Sequence, residues 1–167
     1  MTISFQGEKV FLKGKPLKVG ENAPEITLVS KDFSEIKVGG KQDKIQIISV
    51  VPSLDGSVCS IQAKRFNQEA TKLKDCIVYI VSIDTPFAME RFCLDANAKN
   101  IIVASDFIDK TFGEKYGLIL ANSFLKGMLT RAVLIVDKEG KLIYQEICEE
   151  LGHEPNYQAA LNKINTL

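Results

Sequence analysis

Residues 45–74 read IQIISVVPSLDGSVCSIQAKRFNQEATKLK and contain, in that order, an apolar run, a short polar loop and an amphipathic segment. Residues 45–51 are almost continuously apolar, which is typical of a strand covered on both faces, and Pro52 ends it. From residue 58 to 74, apolar side chains recur within roughly a 100° arc of a helical wheel. The stretch therefore predicts strand, loop and helix, with Cys59 at the start of the helix's inward face.

The same alternation continues on both sides of this unit. Residues 77–83 form the next apolar strand, and Thr85 as N-cap with Pro86 at the first position marks another helix. Towards the N-terminus, residues 3–5 and 9–12 flank a glycine-containing turn and predict a β-hairpin. The remaining predicted elements are strands at 26–29 and 101–104, a helix at 107–116 ended by Gly117, a hairpin of residues 132–137 and 142–147, and a last helix at 155–164.

This order of elements predicts an α/β protein of thioredoxin-like fold, with a central mixed sheet, helices on both faces and an N-terminal β-hairpin. We expect a single domain over residues 1–167, because no repeat or long linker divides the chain. The 21 basic and 21 acidic residues balance, which argues against nucleic acid or a membrane as a partner. The first ten residues lack the apolar run of a signal peptide, so we expect a cytoplasmic protein.

The four cysteines carry the candidate chemistry, and in a reducing compartment they are expected to be free thiols. A thiol in the first turn of a helix lies near unpaired amides and the positive end of the helix dipole, which favour the thiolate. Cys59 has this position, although packing as a small apolar side chain is the alternative. A thiolate attacks peroxide oxygen, and the sulfenic acid so formed condenses readily with a second thiol.

Cys93 lies in the second predicted helix, on the side of the wheel away from Phe87 and Leu94. We therefore expect Cys93 to be more accessible than the side chains on the Phe87 and Leu94 side of the helix. A bond to Cys59 requires Cα atoms within about 7 Å, so at least one of the two helices must open locally. A partly exposed cysteine without a role is the alternative interpretation of Cys93.

Other chemistries find little support in the sequence. Cys76 and Cys148 lie at strand ends, where buried or incidental thiols are expected. The only histidine, His153, lies in a turn with nothing to orient it, so we expect neither a zinc site nor a cysteine hydrolase. The lack of a Cys-x-x-Cys pair argues against a disulfide reductase, and no glycine-rich loop matches a phosphate-binding fingerprint. The predicted thiol chemistry needs no metal or organic cofactor.

Arg131 begins the apolar strand at residues 132–137, where a solvated arginine is the ordinary interpretation. Held close to Cys59, the Arg131 guanidinium would favour the thiolate and stabilise charge that builds on the peroxide oxygens. The pattern of residues leaves both interpretations open.

Seven groups of residues, in order along essentially the whole chain, resemble the thiol peroxidases, which are bacterial atypical two-cysteine peroxiredoxins of thioredoxin-like fold. The groups are Phe5-Gln6-Gly7; Val19-Gly20-Glu21-Asn22-Ala23-Pro24; Pro52-Ser53-Leu54 with Val58-Cys59; Arg65-Phe66-Asn67; Pro86-Phe87-Ala88 with Arg91-Phe92-Cys93; Leu129-Thr130-Arg131-Ala132-Val133; and Glu154-Pro155-Asn156-Tyr157 with Ala159-Ala160-Leu161. Their shared order makes the match specific.

This resemblance implies that Cys59 is the peroxidatic thiol and that Cys93 is the resolving thiol of the same chain. It implies that Arg131 activates Cys59 and that Pro52 shields the pocket. It also implies that the substrates are hydroperoxides, that thioredoxin is the reductant and that the protein is a homodimer.

One position departs from the family's pattern. The family usually carries threonine three residues before the peroxidatic cysteine, where its hydroxyl bridges thiolate and peroxide, and Gly56 stands there in this chain. Our hypothesis is that Ser57, one residue later, supplies the hydroxyl after a shift in the loop. Two alternative functions use the same fold. A peroxide sensor would pass oxidation to a partner by mixed disulfide, whereas an inert binding module would leave Cys59 with ordinary thiol reactivity.

Overall fold

The computed structural model describes all residues from Met1 to Leu167. The strands are β1 (Thr2–Phe5), β2 (Glu8–Lys13), β3 (Ile26–Ser30), β4 (Glu35–Val38), β5 (Ile45–Val50), β6 (Cys76–Ser82), β7 (Ile102–Ser105), β8 (Ile119–Leu120), β9 (Ala132–Val136) and β10 (Leu142–Ile147). The helices are α1 (Ser57–Ala70), α2 (Pro86–Asp95), α3 (Thr111–Tyr116) and α4 (Tyr157–Asn165). None of these helices combines the length and hydropathy needed to cross a bilayer.

Seven strands form the central sheet in the order β10-β9-β5-β6-β7-β3-β4. β5 pairs with β6, and β6 with β7, in parallel, whereas the other neighbours are antiparallel. A second sheet of order β1-β2-β8 contains the N-terminal hairpin. The predicted mixed sheet and N-terminal hairpin are therefore confirmed.

Both faces of the central sheet are covered, which explains the almost continuously apolar run of β5. Ile48 and Val50 belong to the apolar core shared with α3 and the N-terminal hairpin. Ile47 and Val51 belong to the core on the opposite face, which α1, α2 and α4 cover. Since alternate residues of a strand point to opposite faces, the apolar side chains of the run divide between the two cores.

Helix α1 is shorter than the predicted helix at residues 58–74. It ends at Ala70, and the amides of residues 71–73 bond to carbonyls only three residues back. The Thr71 hydroxyl also donates to the Gln68 carbonyl at 2.8 Å. These bonds satisfy the last carbonyls of the helix and end it one turn early.

Helix α3 likewise covers only part of the predicted segment at 107–116. Lys110 has a left-handed φ of 58°, which interrupts the helical path before Thr111. The buried carboxylate of Asp106 accepts two amides of the first turn of α3, at 3.0 and 2.8 Å. This side chain thus fixes where α3 begins.

The short strands β4 and β8 were not predicted, and the last helix begins later than predicted. β8 has two residues, too few for a periodic pattern, and it is held by pairing with β2. Helix α4 starts at Tyr157 instead of Pro155, because the Asn156 side chain caps it by accepting the Ala159 amide at 3.0 Å.

Gly117 ends α3, as predicted, in the left-handed region with φ of 68°. A Cβ at this position would overlap the carbonyl oxygen of Lys15. We expect Gly117→Ala to lower the free energy of unfolding by more than about 2 kcal/mol, because the left-handed conformation alone costs about 1–2 kcal/mol. Urea unfolding followed by circular dichroism measures the loss. Gly14→Ala is the matched control, with φ of 78° and open space around its Cβ; equal losses would contradict the steric contribution.

Candidate active site

Cys59 is the third residue of α1 and is only 4% exposed. The first hydrogen bond of the helix runs from the Ser60 amide to the Gly56 carbonyl at 2.9 Å. The amides of the three preceding residues therefore have no partner within the helix. Their positive ends lie at the start of α1 beside the thiol, which favours the thiolate.

Arg131 lies at the start of β9 and is 4% exposed. Its Nη1 donates to the Cys59 Sγ at 3.4 Å and to the Gln62 Oε1 at 3.2 Å. Its Nε donates to the Leu151 carbonyl at 2.9 Å. The fold thus brings together two side chains that are 72 positions apart and holds a guanidinium against the thiol.

A pocket of about 370 Å³ opens above Cys59 and Arg131. Pro52 is buried and forms part of its wall, which is where a shield of the thiol is expected. Several apolar side chains complete the wall: Phe5, Leu125, Met128 and Leu151. The site can therefore admit a small molecule to a buried thiol while limiting its contact with water.

The geometry of the loop before Cys59 shows where a side chain at position 56 would lie. A Cβ on Gly56 would lie 3.2 Å from the Cys59 Sγ and 3.3 Å from the Ser53 carbonyl oxygen. A side chain at position 56 would therefore point at the thiol. Ser57 is exposed, lines the same pocket and makes no side-chain hydrogen bond, so its hydroxyl is free to turn towards a bound molecule.

Cys93 is buried, with 6% exposure, and the expectation that it is more accessible than Phe87 and Leu94 is wrong. The helical wheel correctly separated Cys93 from Phe87 and Leu94, but those two apolar side chains face solvent at 75% and 70% exposure. Cys93 instead packs with Met89 in the core beneath α2. This burial raises the pKa of the Cys93 thiol.

Cys59 and Cys93 belong to the same apolar core, on the face of the sheet that α1 and α2 cover. Both are free thiols. The structure therefore places the two predicted cysteines on one side of the sheet, in two intact helices and without a bond between them.

The sequence analysis missed Gln62, which is completely buried one turn after Cys59. Its Nε2 donates to the Ser49 Oγ at 2.8 Å, and its Oε1 accepts from Arg131. Since the guanidinium can only donate, the amide oxygen must face it. The available signal was a glutamine at an inward position of α1, where an apolar residue is usual.

The other candidates lie apart from this pocket. Cys148 is buried, and burial raises its pKa to about 12. Cys76 is partly exposed at the start of β6, and His153 is exposed. No group of three or more histidine, cysteine, aspartate or glutamate side chains is arranged to hold a metal ion.

Comparison with known proteins identifies the family. The model of the Redoxin family matches residues 18–161. The thiol peroxidase of Aquifex aeolicus is 45% identical over 166 residues, which cover 99% of this chain and 98% of the relative. The thiol peroxidase of Helicobacter pylori strain J99 is 41% identical over 162 residues, covering 97% and 98%. This chain belongs to the thiol peroxidases of the Redoxin family.

Solved structures agree with this assignment. The crystal structure of a peroxiredoxin-like protein from Aquifex aeolicus matches with a TM-score of 0.95 at 45% identity, covering 99% of this chain and 96% of that one. The thiol peroxidase of Chromobacterium violaceum matches with a TM-score of 0.87 at 15% identity, covering 99% and 95%, which supports the fold alone. The thioredoxin-like peroxiredoxin fold and the resemblance described above are confirmed. The protein is a peroxidase that reduces peroxides with a thiol.

We expect Gln62→Met to slow the reaction with peroxide at least about tenfold, because Arg131 loses the acceptor that orients it and a hydrogen bond to a charged group contributes about 1.5–3 kcal/mol. Stopped-flow consumption of hydrogen peroxide measures the second-order rate constant. Gln68→Met, on the exposed side of α1, is the control. If Gln62 acts through Arg131, the substitution costs nothing further in an Arg131→Met background; additive losses would contradict that role.

Proposed function

We propose that this enzyme is an atypical two-cysteine peroxiredoxin in which Cys59 attacks the peroxide and Cys93 resolves the product within the same chain. The observation that carries the proposal is the contact of 3.4 Å between the Arg131 guanidinium and the Cys59 thiol, at the start of a helix and in a pocket. A thiolate that is held by a cation and by unpaired amides is prepared for nucleophilic attack.

In the first step, the Cys59 thiolate attacks the terminal oxygen of a hydroperoxide. The O–O bond breaks, the leaving oxygen departs as water or alcohol after protonation, and the thiol becomes a sulfenic acid. Arg131 is positioned to stabilise the negative charge that passes from sulfur to the leaving oxygen. Pro52 keeps the reacting atoms apart from bulk water, since it forms part of the pocket wall.

In the second step, the sulfenic acid of Cys59 condenses with the Cys93 thiol, which forms a disulfide and releases water. An external dithiol then restores both thiols by exchange. We propose thioredoxin as that dithiol and the cytoplasm as the compartment. Steady-state turnover of peroxide with thioredoxin and its reductase tests the choice of reductant, and failure to turn over would contradict it.

We further propose that the enzyme is a homodimer. The exposed rings of Phe33 and Phe87 pack edge to face with centroids 5.0 Å apart, and they leave an apolar surface beside α2. Exposed apolar surface of this kind is common at protein interfaces. Sedimentation velocity measures the mass in solution, and a monomer at micromolar concentration would contradict the proposal.

One equivalent of an organic hydroperoxide, added to the fully reduced protein, tests the two cysteine roles directly. We expect peptide mapping without reductant to recover one Cys59–Cys93 disulfide per chain. Cys93→Ser should instead retain the sulfenic acid on Cys59, which dimedone traps. If wild type also stops at the sulfenic acid with Cys93 free, the resolving role is wrong, and a sensor that oxidises a partner protein becomes the better description.

We expect Ser57→Ala to slow the reaction of Cys59 with hydrogen peroxide at least ~10-fold, because a hydroxyl bonded to a charged group contributes about 1.5–3 kcal/mol. Ser60→Ala is the matched control, since Ser60 follows Cys59 in the same helix and does not line the pocket. The measurement is again the second-order rate constant. Unchanged rates in Ser57→Ala would show that Ser57 does not supply the missing hydroxyl.

A further inference from the structure

The loop before Cys59 is attached to the segment that carries Cys93. Asp84, two residues before α2, accepts the Leu54 amide and the Ser53 hydroxyl through its carboxylate, both at 2.7 Å. These bonds are partly buried. They fix the loop to the start of α2, at the end of the helix farther from Cys93.

A second contact joins the same loop to the later part of α2. Arg91 Nη2 donates to both carboxylate oxygens of Asp55, at 2.9 and 3.1 Å. Both side chains are more than half exposed, at 60% and 63%. Asp55 lies four residues before Cys59, and Arg91 lies two residues before Cys93. We call this contact the loop–helix ion pair.

In this closed structure, Cys59 and Cys93 are buried in two intact helices and are not bonded to each other. α1 packs on β6 and α2 on the neighbouring strand β7. Cys93 packs in the core beneath α2, and its raised pKa keeps the thiol protonated in place. In the proposed function, the later part of α2, which includes Arg91, leaves its helical position before Cys93 reacts.

We propose that the loop–helix ion pair controls how oxidised Cys59 divides between a disulfide with Cys93 and further oxidation. The inference rests on the intrachain disulfide of the proposed function. In one branch, the sulfenic acid and the Cys93 thiol give a disulfide and water. In the other, a second hydroperoxide oxidises the sulfenic acid to sulfinic acid and is itself reduced to alcohol. The bonds of Asp84 stay in place in both branches and act as the hinge.

The size of the effect follows from the exposure of the pair. A single exposed ion pair changes an equilibrium by roughly 1.5- to 5-fold and is weakened by salt. α2 opens before the disulfide forms, whereas the sulfinic acid forms without that opening. Loss of the ion pair therefore raises the ratio of disulfide to sulfinic acid by that factor and leaves the first oxidation of Cys59 unchanged.

The test uses Arg91→Gln and Asp55→Asn in the full-length protein, exposed to graded concentrations of an alkyl hydroperoxide. Mass spectrometry of the quenched protein gives the disulfide and the sulfinic acid separately. We expect the ratio to rise roughly 1.5- to 5-fold in each variant and no further in the double variant. Between 0.05 and 0.5 M NaCl, on the order of the range over which surface charges become screened, the ratio should rise in wild type and stay constant in the variants.

Two further variants complete the test. Lys13→Gln removes an exposed ion pair of 2.6 Å with Glu114, far from both cysteines, and should behave as wild type. The exchange Asp55→Arg with Arg91→Asp should restore the wild-type ratio. If disulfide forms in every variant at an unchanged ratio, the control by the ion pair is wrong although the proposed function stands. If wild type forms no Cys59–Cys93 disulfide, the proposed function itself fails.

Discussion

The buried guanidinium of Arg131 is the constraint on which the rest of the site depends. A buried cation is costly unless its charge is compensated and its hydrogen atoms have acceptors. Its three acceptors are the Leu151 carbonyl, the Gln62 amide oxygen and the Cys59 sulfur. None of the ion pairs in the structure includes Arg131. Of the three acceptors, only sulfur can become an anion, so Arg131 is placed to compensate a negative charge that develops on Cys59.

The topology of the sheet brings this cation to the thiol. β9 runs antiparallel to β5, and Val50 at the end of β5 is opposite Ala132 at the start of β9. The residue before Ala132 is therefore level with the point where the chain leaves the sheet and turns into α1. A loop of six residues then returns Cys59 to the same edge. Gln62 and Ser49 connect helix and strand beneath this contact, so the rotamer of Arg131 is set by groups on rigid elements.

The parts of this site that depend on local sequence could be predicted, and those that depend on distant contacts could not. The position of Cys59 at the start of a helix follows from the apolar run, Pro52 and the helical spacing after it. The distance between Cys59 and Arg131 depends on the pairing of β5 with β9, which no periodicity reveals, and only the resemblance to a family pointed to Arg131. Gln62 was missed because a polar residue in the inward face of a helix carries no sign of its partner.

The error about Cys93 has a specific physical origin. A helical wheel shows which side chains share a face, but it does not show which face meets the sheet. In α2, the face with Phe87 and Leu94 carries two large apolar side chains, yet it is exposed, while Cys93 and Met89 pack inward. The exposure of the Phe87 ring to solvent is partly compensated by its edge-to-face contact with Phe33. Exposed aromatic side chains are common at protein interfaces, so the same side chains that made this face look buried in the sequence support the proposed dimer.

The burial of Cys93 also orders the proposed chemistry in time. A buried thiol with a raised pKa is a poor nucleophile and a poor target for peroxide, so it remains reduced while Cys59 reacts. In the proposed mechanism, Cys93 gains reactivity only when α2 opens, and opening exposes apolar surface that was packed against the sheet. The closed state therefore favours the oxidation of Cys59 by peroxide, for which the pocket must be intact, and the open state favours the condensation with Cys93, for which the pocket is not needed. A resolving cysteine on the surface would lack this separation, since it would be oxidised or alkylated independently of Cys59.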